Sequence, residues 1–407
     1  MTHPLIQALQ EHAVEFIDLR RDLHRHPELG LCETRTAQRV ADPLQAWGYT
    51  VHRGLATTGV MATLQRGESG PGARRLGLRL RADMDALPIQ KTGSPGWASV
   101  HDGVMHACGH DGHTAMLLAA ARHLARHGEF SGTLHLIFQP ADEHPGGARL
   151  MIEQGLFALF PCDAVFAMHN MPDVPQGHLV FREGAAMASS DDVTINLSGH
   201  GGHGAMPHLA ADPVVAAASI VMALQTVVSR NIDPQQTAIV TVGALHAGSA
   251  NNVIPQTATL ALSVRALDPD VRDRLQHRIT ALVQAQVAGL GVSARVDYQR
   301  DCPARVNSPA ETAFARQVAV DLLGASKVIL QGQALTGSAD FAVMLQHCPG
   351  SHLLIGNGTD NGPGGQGCRV HHPGYGFNDH NIAIGAACWV LLAQSVLSVP
   401  DPAHRPH

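Results

Sequence analysis

No uninterrupted apolar run in this chain of 407 residues reaches the ~18 residues that a membrane-crossing helix needs. There is no polybasic segment either. Lys and Arg number 28 against 34 Asp and Glu, a net charge of −6. That balance excludes an electrostatic footprint for nucleic acid and a polybasic contact with an anionic membrane. The first thirty residues, MTHPLIQALQEHAVEFIDLRRDLHRHPELG, read as an amphipathic helix with charges throughout and no apolar h-region. A secretory signal or membrane anchor is therefore not expected. The seven cysteines are scattered and odd in number, which argues against a disulfide scaffold and for a reducing, cytoplasmic setting. Internal repeats are absent, and the only low-complexity stretch is the glycine-rich GNGTDNGPGGQG at 356–367. The length exceeds what one hydrophobic core organises, so two domains are expected.

What is present has a clear order. Over 1–187 apolar β-type runs alternate with helical ones: GVMATLQRG, RRLGLRLRADMDAL, GTLHLIFQP and CDAVFAMHN as strands, HTAMLLAAARHLARH and GGARLMIEQGLFALF as helices. This alternation predicts an α/β domain with a mostly parallel mixed sheet flanked by helices. Sites in such sheets lie beyond the carboxyl ends of the strands, and the polar clusters DMD, ADEH and HN fall there. From about Ser189 the order becomes strand–helix–strand–strand–helix–strand, the ferredoxin-like βαββαβ plan. The expected organisation is 1–187 with 301–407 as one domain and 188–300 as an insertion.

Chemistry concentrates in MHACGHDGHTA at 105–115. Cys108 and His110, two apart in a tight loop before a helix, can aim a sulfur and a nitrogen at one centre, the donors a borderline-soft divalent ion selects. Gly109 and Gly112 read as turn residues beside that centre. Asp83 and Asp85 share a face at a strand end; alone they would suit a solvated turn, but near a ligand imidazole Asp85 can accept its second N–H. The adjacent carboxylates Asp142 and Glu143 suit a divided task, one ligating metal while the other takes a proton from water. His169 ends an apolar strand, where a hydrogen-bonded core histidine is the plain alternative. Spacing does not decide which of His371 and His372 points inward.

Together RDLHRHPELG, RADMDALPI, MHACGHDGHTA, IFQPADE, GGHGAMPH, ANNVIP, TGSADF and HHPGYGFND, in this order from about 17 to 385, resemble a family of metal-dependent amidohydrolases. It comprises hippurate hydrolases, bacterial N-acyl-amino-acid amidohydrolases and plant auxin-conjugate hydrolases. IGNG, the glycine-rich loop and Cys368 look most like the hippurate hydrolase branch. The resemblance implies two divalent metal ions per chain, zinc or manganese with cobalt or nickel as alternatives. Their implied ligands are Cys108, His110, Glu143, His169 and His371, with Asp142 as general base and Asp85 in a supporting catalytic role. It further implies that His203 assists catalysis and, with Asn252 and Arg265, binds substrate: a His donor can steady an oxyanion and an Arg fork can hold a carboxylate. The insertion would serve as lid and dimerisation domain of a homodimer or dimer-based oligomer. The implied substrate is a small N-acyl amino acid, cleaved to a carboxylic acid and an amino acid, with no nucleic acid or membrane partner.

Three positions depart from the family pattern: Asp142 where Glu is usual, Ala339 where an acid is common and Gly376 where Asp is common. None removes an implied ligand. A dipeptidase or carboxypeptidase would need an acceptor for a free amino group, which no motif supplies. A weakly catalytic small-carboxylate-binding protein has only the Asp142 departure in its favour.

Overall fold

The structure is a computed structural model that describes residues 3–67, 77–93, 95–143, 146–359 and 368–397; most of the glycine-rich stretch, 360–367, lies outside them. The chain divides into two units: Met1–Gly184 with Asn307–Gln333 and Val343–His407, and Ala185–Val306 with Ala334–Ala342.

Among the described residues the first unit holds an eight-stranded sheet. Its spatial order is Thr50–Leu55, Gly59–Arg66, Gly132–Gln139, Gly77–Asp83, Ala164–Pro172, Gly350–Gly358, Leu179–Val180 and Val328–Ile329. The four central strands, Gly132–Gln139 to Gly350–Gly358, run parallel. Antiparallel pairs flank them, so the sheet is mixed with a parallel heart. A central parallel strand is covered on both faces, and Gly77–Asp83 is buried at every position, Arg79 and Arg81 included. Helices His110–His127 and Asn381–Leu397 are buried over most of their circumference and close this core.

Two helical expectations need correction. The N-terminal helix is two helices, Pro4–Gln10 and Ala13–Arg25. The chain turns between them, which lets Ile6 and Leu9 as well as Phe16 and Leu23 reach the core. Residues 146–160 likewise form Gly147–Glu153 and Leu156–Leu159, separated at Gly155, whose left-handed backbone (φ 97°) stops a continuous helix.

In the second unit an antiparallel sheet is ordered Ala238–Ala247, Thr257–Ala266, Ser190–Ser198, Ser293–Cys302. With helices Pro213–Asn231 and Pro269–Ala288 this is a βαββαβ unit. Asp212 and Asp268 cap the two helices through their side chains, each followed by proline at the first helical position. Helix Pro213–Asn231 has the length and mean hydropathy (1.5) that a membrane crossing would require, a property its interrupted apolar runs concealed. Its Ala216, Ile220, Leu224 and Val227 belong to the core of this unit.

Candidate metal centre

The centre assembles where the parallel strands of the first unit end. Cys108 precedes helix His110–His127, which starts three residues earlier than its apolar period suggests, so His110 is a first-turn residue. Gly109 has φ 95°, and a Cβ there would stand 2.3 Å from the Asn170 amide nitrogen and 2.5 Å from the Tyr375 hydroxyl. Glycine is required at that position. Gly112 is not the turn residue its place beside the cluster suggested. It sits inside the helix, where a Cβ would fall 2.4 Å from the Phe377 ring, so close packing is what demands glycine.

Two groups of potential ligand atoms, each within 4.8 Å, share the Cys108 sulfur: Cys108, His110 and His169, and Cys108, Glu143 and His371. His169 Nε2 lies 3.2 Å from Cys108 Sγ, while its Nδ1 donates to the Asn170 carbonyl at 2.6 Å. That bond leaves the Nε2 lone pair facing the sulfur. His371 Nε2 lies 3.0 Å from Glu143 Oε1, and His110 Nε2 3.8 Å from the same oxygen. His371 is placed by its N–H bond to the Ala107 carbonyl (2.8 Å) in a left-handed conformation, φ 64°. His372 turns away, its Nδ1 accepting the Gly374 N–H at 3.0 Å.

Asp85 ties two of these residues together. Its Oδ1 lies 3.0 Å from His110 Nδ1, and its Oδ2 accepts the Glu143 backbone N–H at 2.9 Å. Being fixed at Nδ1, His110 points Nε2 inward. His110 Nε2 is buried without a hydrogen-bond partner, and the equally buried Glu143 Oε1 has only the His371 Nε2 contact. Buried polar atoms without partners are costly, and a cation between them would satisfy both. With a thiol and two further imidazoles alongside, the donor set fits borderline-soft divalent ions. A third group, Asp83, His110 and His113, is a hydrogen-bond network: His113 Nδ1 donates to Asp83 at 2.6 Å and its Nε2 accepts the Asn170 N–H at 2.9 Å. Both nitrogens of His113 are committed.

Two buried residues that the sequence did not single out position Asp142 and Glu143. Glu33 Oε1 accepts the Ala141 N–H at 2.9 Å and its Oε2 the Thr58 hydroxyl at 2.6 Å, holding Ala141 at a positive φ of 51°. Arg81 donates to Gln139, Asp83 and Asp142, joining the neighbouring strand ends. A charged residue within an apolar strand run was the available signal for Arg81. Glu33 carries no local signal.

Electrostatics follow from burial and crowding. Burial pushes the Asp142 carboxyl up to about 7 against the pull of Arg81, with Asp83 adding to the rise. Burial also raises the Cys108 thiol well above its ordinary value, reinforced by Glu143. Burial opposes ionisation of Glu143 too, yet the His371 hydrogen bond and the nearby His110 hold it below the usual range. Burial lowers His169 to about 3, leaving a neutral imidazole free to donate its lone pair.

His203, Asn252 and Arg265 belong to the second unit. Gly202–His203 pairs antiparallel with Val253–Ile254, and the Gly204 N–H bonds the Asn252 carbonyl at 2.8 Å, so the GGH and NNVIP motifs form one exposed hairpin-like edge. His203 Nδ1 accepts the Ala205 N–H at 3.0 Å, which leaves Nε2 as the donor of the neutral ring. Arg265 lies on the strand Thr257–Ala266, with Nη1 3.4 Å from the Thr336 carbonyl.

A mixed α/β scaffold with cysteine, carboxylate and imidazole donors gathered at its strand ends is that of a metallohydrolase-type site. The chain belongs to peptidase family M20/M25/M40, which it matches over residues 79–395. It is 39% identical over 383 residues to a hippurate hydrolase of Campylobacter jejuni, covering 94% of this chain and 97% of that one. It is 37% identical over 370 residues to an N-acetyl-L-cysteine deacetylase of Bacillus subtilis, covering 90% and 85%. Among solved structures it resembles the Bacillus subtilis YXEP protein, described as a dinuclear metal-binding peptidase of the M20 family, with TM-score 0.81, 30% identity and coverage of 95% and 99%.

Proposed function

We propose that this chain is a metal-dependent amidohydrolase that cleaves N-acyl amino acids, hippurate-like N-benzoyl substrates foremost, to a carboxylic acid and a free amino acid. The observation that carries the reading is the pair of donor groups sharing Cys108, with His110 Nε2 buried and unpartnered 3.8 Å from Glu143 Oε1. The relatives act on amides whose leaving group is an amino acid, which supports the substrate class. Cys108, His110, Glu143, His169 and His371 would hold two divalent cations, zinc by preference of the thiolate or manganese. Such cations would supply a water that ionises near neutrality and polarise the scissile carbonyl.

The residues of the chain divide the remaining work. Asp142 takes the proton of the attacking water and returns it to the leaving amine. Arg81 holds one Asp142 oxygen, which leaves the second for the proton. Asp85 acts through His110 and Glu143 and is a positioning residue. Arg265 and Asn252 take the substrate carboxylate, and His203, donating from Nε2, steadies the oxyanion after the second unit closes as a lid. A homodimer through that unit is supported by the edge strand Ala238–Ala247 and the exposed Val215 and Met222 on helix Pro213–Asn231. The cytoplasmic assignment is supported by seven free cysteines.

Incubation of metal-loaded protein with hippurate, N-acetyl-methionine and a dipeptide tests the reading. Release of free amino acid from the N-acyl substrates is expected. Cleavage of the dipeptide alone would overturn it in favour of a peptidase, and binding without turnover of any of the three in favour of a carboxylate-binding protein.

A further inference from the structure

Cys162 and Cys348 take no part in the centre described above, yet the fold brings their sulfurs to 3.3 Å across 186 residues of chain. Each sits just before a central parallel strand, Ala164–Pro172 and Gly350–Gly358, at the end of the sheet where those strands begin. Backbone bonds pin both. Asp163 N–H donates to the Gly77 carbonyl and Gly77 N–H to the Asp163 carboxylate, each at 2.8 Å, and Cys348 N–H bonds the Met344 carbonyl at 3.1 Å. A disulfide at ~2.05 Å therefore requires the sulfurs to close by only ~1.3 Å.

A buried cation acts on the pair. Arg79 is fully buried; its Nη2 donates to the Leu156 carbonyl at 3.0 Å and its guanidinium lies 4.2 Å from the Phe157 ring centre. Its Nε and Nη1 have no hydrogen-bond partner, and its charge acts on both sulfurs. A buried guanidinium with idle donors is stabilised by an anion beside it. The hydrogen bond shared with Cys348 lowers the Cys162 thiol and Arg79 adds to this, while burial and Asp163 oppose it. The same hydrogen bond raises Cys348. Either sulfur can be the donor of the bond between them, so access decides which thiol meets an oxidant first. Access is unequal: Cys162 is half-buried and lines a cleft of about 810 Å³, with Phe160, Pro161 and His135 among its walls, whereas Cys348 is buried.

We propose that Cys162, Cys348 and Arg79 form a peroxide-oxidisable dithiol site, with Cys162 as the attacking thiolate and Cys348 as the resolving thiol. The Cys162 sulfur attacks one oxygen of hydrogen peroxide, the O–O bond breaks, and hydroxide leaves as the sulfur becomes a sulfenic acid. The Cys348 sulfur then displaces the sulfenic oxygen, which leaves as water with the Cys348 proton, and the disulfide forms. Two thiols lose two electrons and one peroxide gains them. The cross-link joins the starts of neighbouring central strands and closes a long loop of the unfolded chain, so it raises the melting temperature.

The test uses metal-loaded protein, low molar equivalents of hydrogen peroxide, and peptide mass spectrometry without reduction. Expected are a linked Cys162–Cys348 peptide pair two hydrogens lighter, formed at least tenfold faster than oxidation of the exposed Cys32, and a higher melting temperature. In Cys348→Ser, Cys162 should stop at a dimedone-trappable sulfenic acid. In the unmodified sequence, iodoacetamide should alkylate Cys162 with a half-maximal rate below the ordinary thiol value of about 8.5. Arg79→Met should slow that alkylation at pH 7 about tenfold and Arg79→Lys restore it in part; if neither folds, the wild-type alkylation profile alone decides. Cys162 oxidising no faster than Cys32, or titrating at or above that ordinary thiol value, overturns the proposal.

Discussion

Replacing Asp85 by Asn separates a residue that positions ligands from one that moves protons. The carboxylate, 2% exposed, meets the His110 ring N–H at 3.0 Å and the Glu143 backbone N–H at 2.9 Å. An amide offers one acceptor and one donor, so one of these N–H groups would face an NH₂. Leaving a buried donor unsatisfied costs about 1–3 kcal/mol, and the loss of a charged acceptor adds to it. His110 is partly protected, because its Nδ1 also lies 3.0 Å from the Asp85 carbonyl, which the substitution retains. The burden therefore falls on the Glu143 turn. Outer-shell losses of this kind weaken metal affinity roughly 10- to 100-fold, or about 1.4–2.7 kcal/mol. Competition against a zinc indicator measures this, with kcat taken at saturating metal. Affinity should fall in that range while kcat at saturation falls less than tenfold. Wild-type affinity combined with a hundredfold loss of kcat would refute the positioning argument and make Asp85 a proton-transfer group.

Asp142→Asn should keep its metal, by elemental analysis, and lose roughly two to four orders of magnitude in kcat, while Asp142→Glu stays active. Normal turnover by Asp142→Asn would place the base elsewhere. Stability should fall in acid: burial lowers His106 and His135 to about 4 from 6.5, so each stabilises the fold fully above 6.5 and loses that contribution as pH drops toward 4. By pH 5 the loss is ~2 kcal/mol per residue. Chemical denaturation in EDTA at pH 8 and 5 should show it, and His135→Gln should shrink the difference by its own ~2 kcal/mol share; an unchanged difference in that variant counts against the assignment. For the second unit, mixing inactive His203→Ala with inactive Asp142→Asn should restore activity if His203 serves a partner's site, whereas a verified heterodimer without activity means each chain completes its own.

Much of this arrangement was legible in the chain because its periodicities are local. The alternation of strands and helices, the βαββαβ order and the placing of polar clusters after apolar strands all follow from nearest-neighbour pattern. What was not legible depends on contacts distant in sequence. His371 is distinguished from His372 only by a backbone bond to Ala107 and a left-handed conformation, and neither leaves a mark in HHPGYG. Gly112 reads as a turn until the Phe377 ring, far along the chain, is seen to fill its missing Cβ. Glu33 looks like a solvated surface acid, yet it is buried and supports Ala141 from more than a hundred residues away. Helix Pro213–Asn231 escaped as an apolar segment because Ser, Gln and Thr interrupt it, although its average is strongly apolar.

The charge inventory of the centre bears on why two cations, rather than one, suit it. Cys108 as thiolate, Glu143, Asp83, Asp85 and Asp142 are five negative groups, and Arg81, bonded to Asp83 and Asp142, is the buried guanidinium that compensates them among the described residues. Four negative charges remain, the number that two divalent ions neutralise. Without cations the chain resolves the crowding by holding protons, which is the physical content of the raised Cys108 thiol and the Asp142 carboxyl near 7. Cation binding must therefore expel protons and strengthen with rising pH. One divalent ion would leave two negative charges in the site, which favours a proton on Asp142. Two cations held by these ligands would supply the compensating charge that lets Asp142 lose its proton at neutral pH, and Arg81 anchors the shorter side chain for the base role proposed for it.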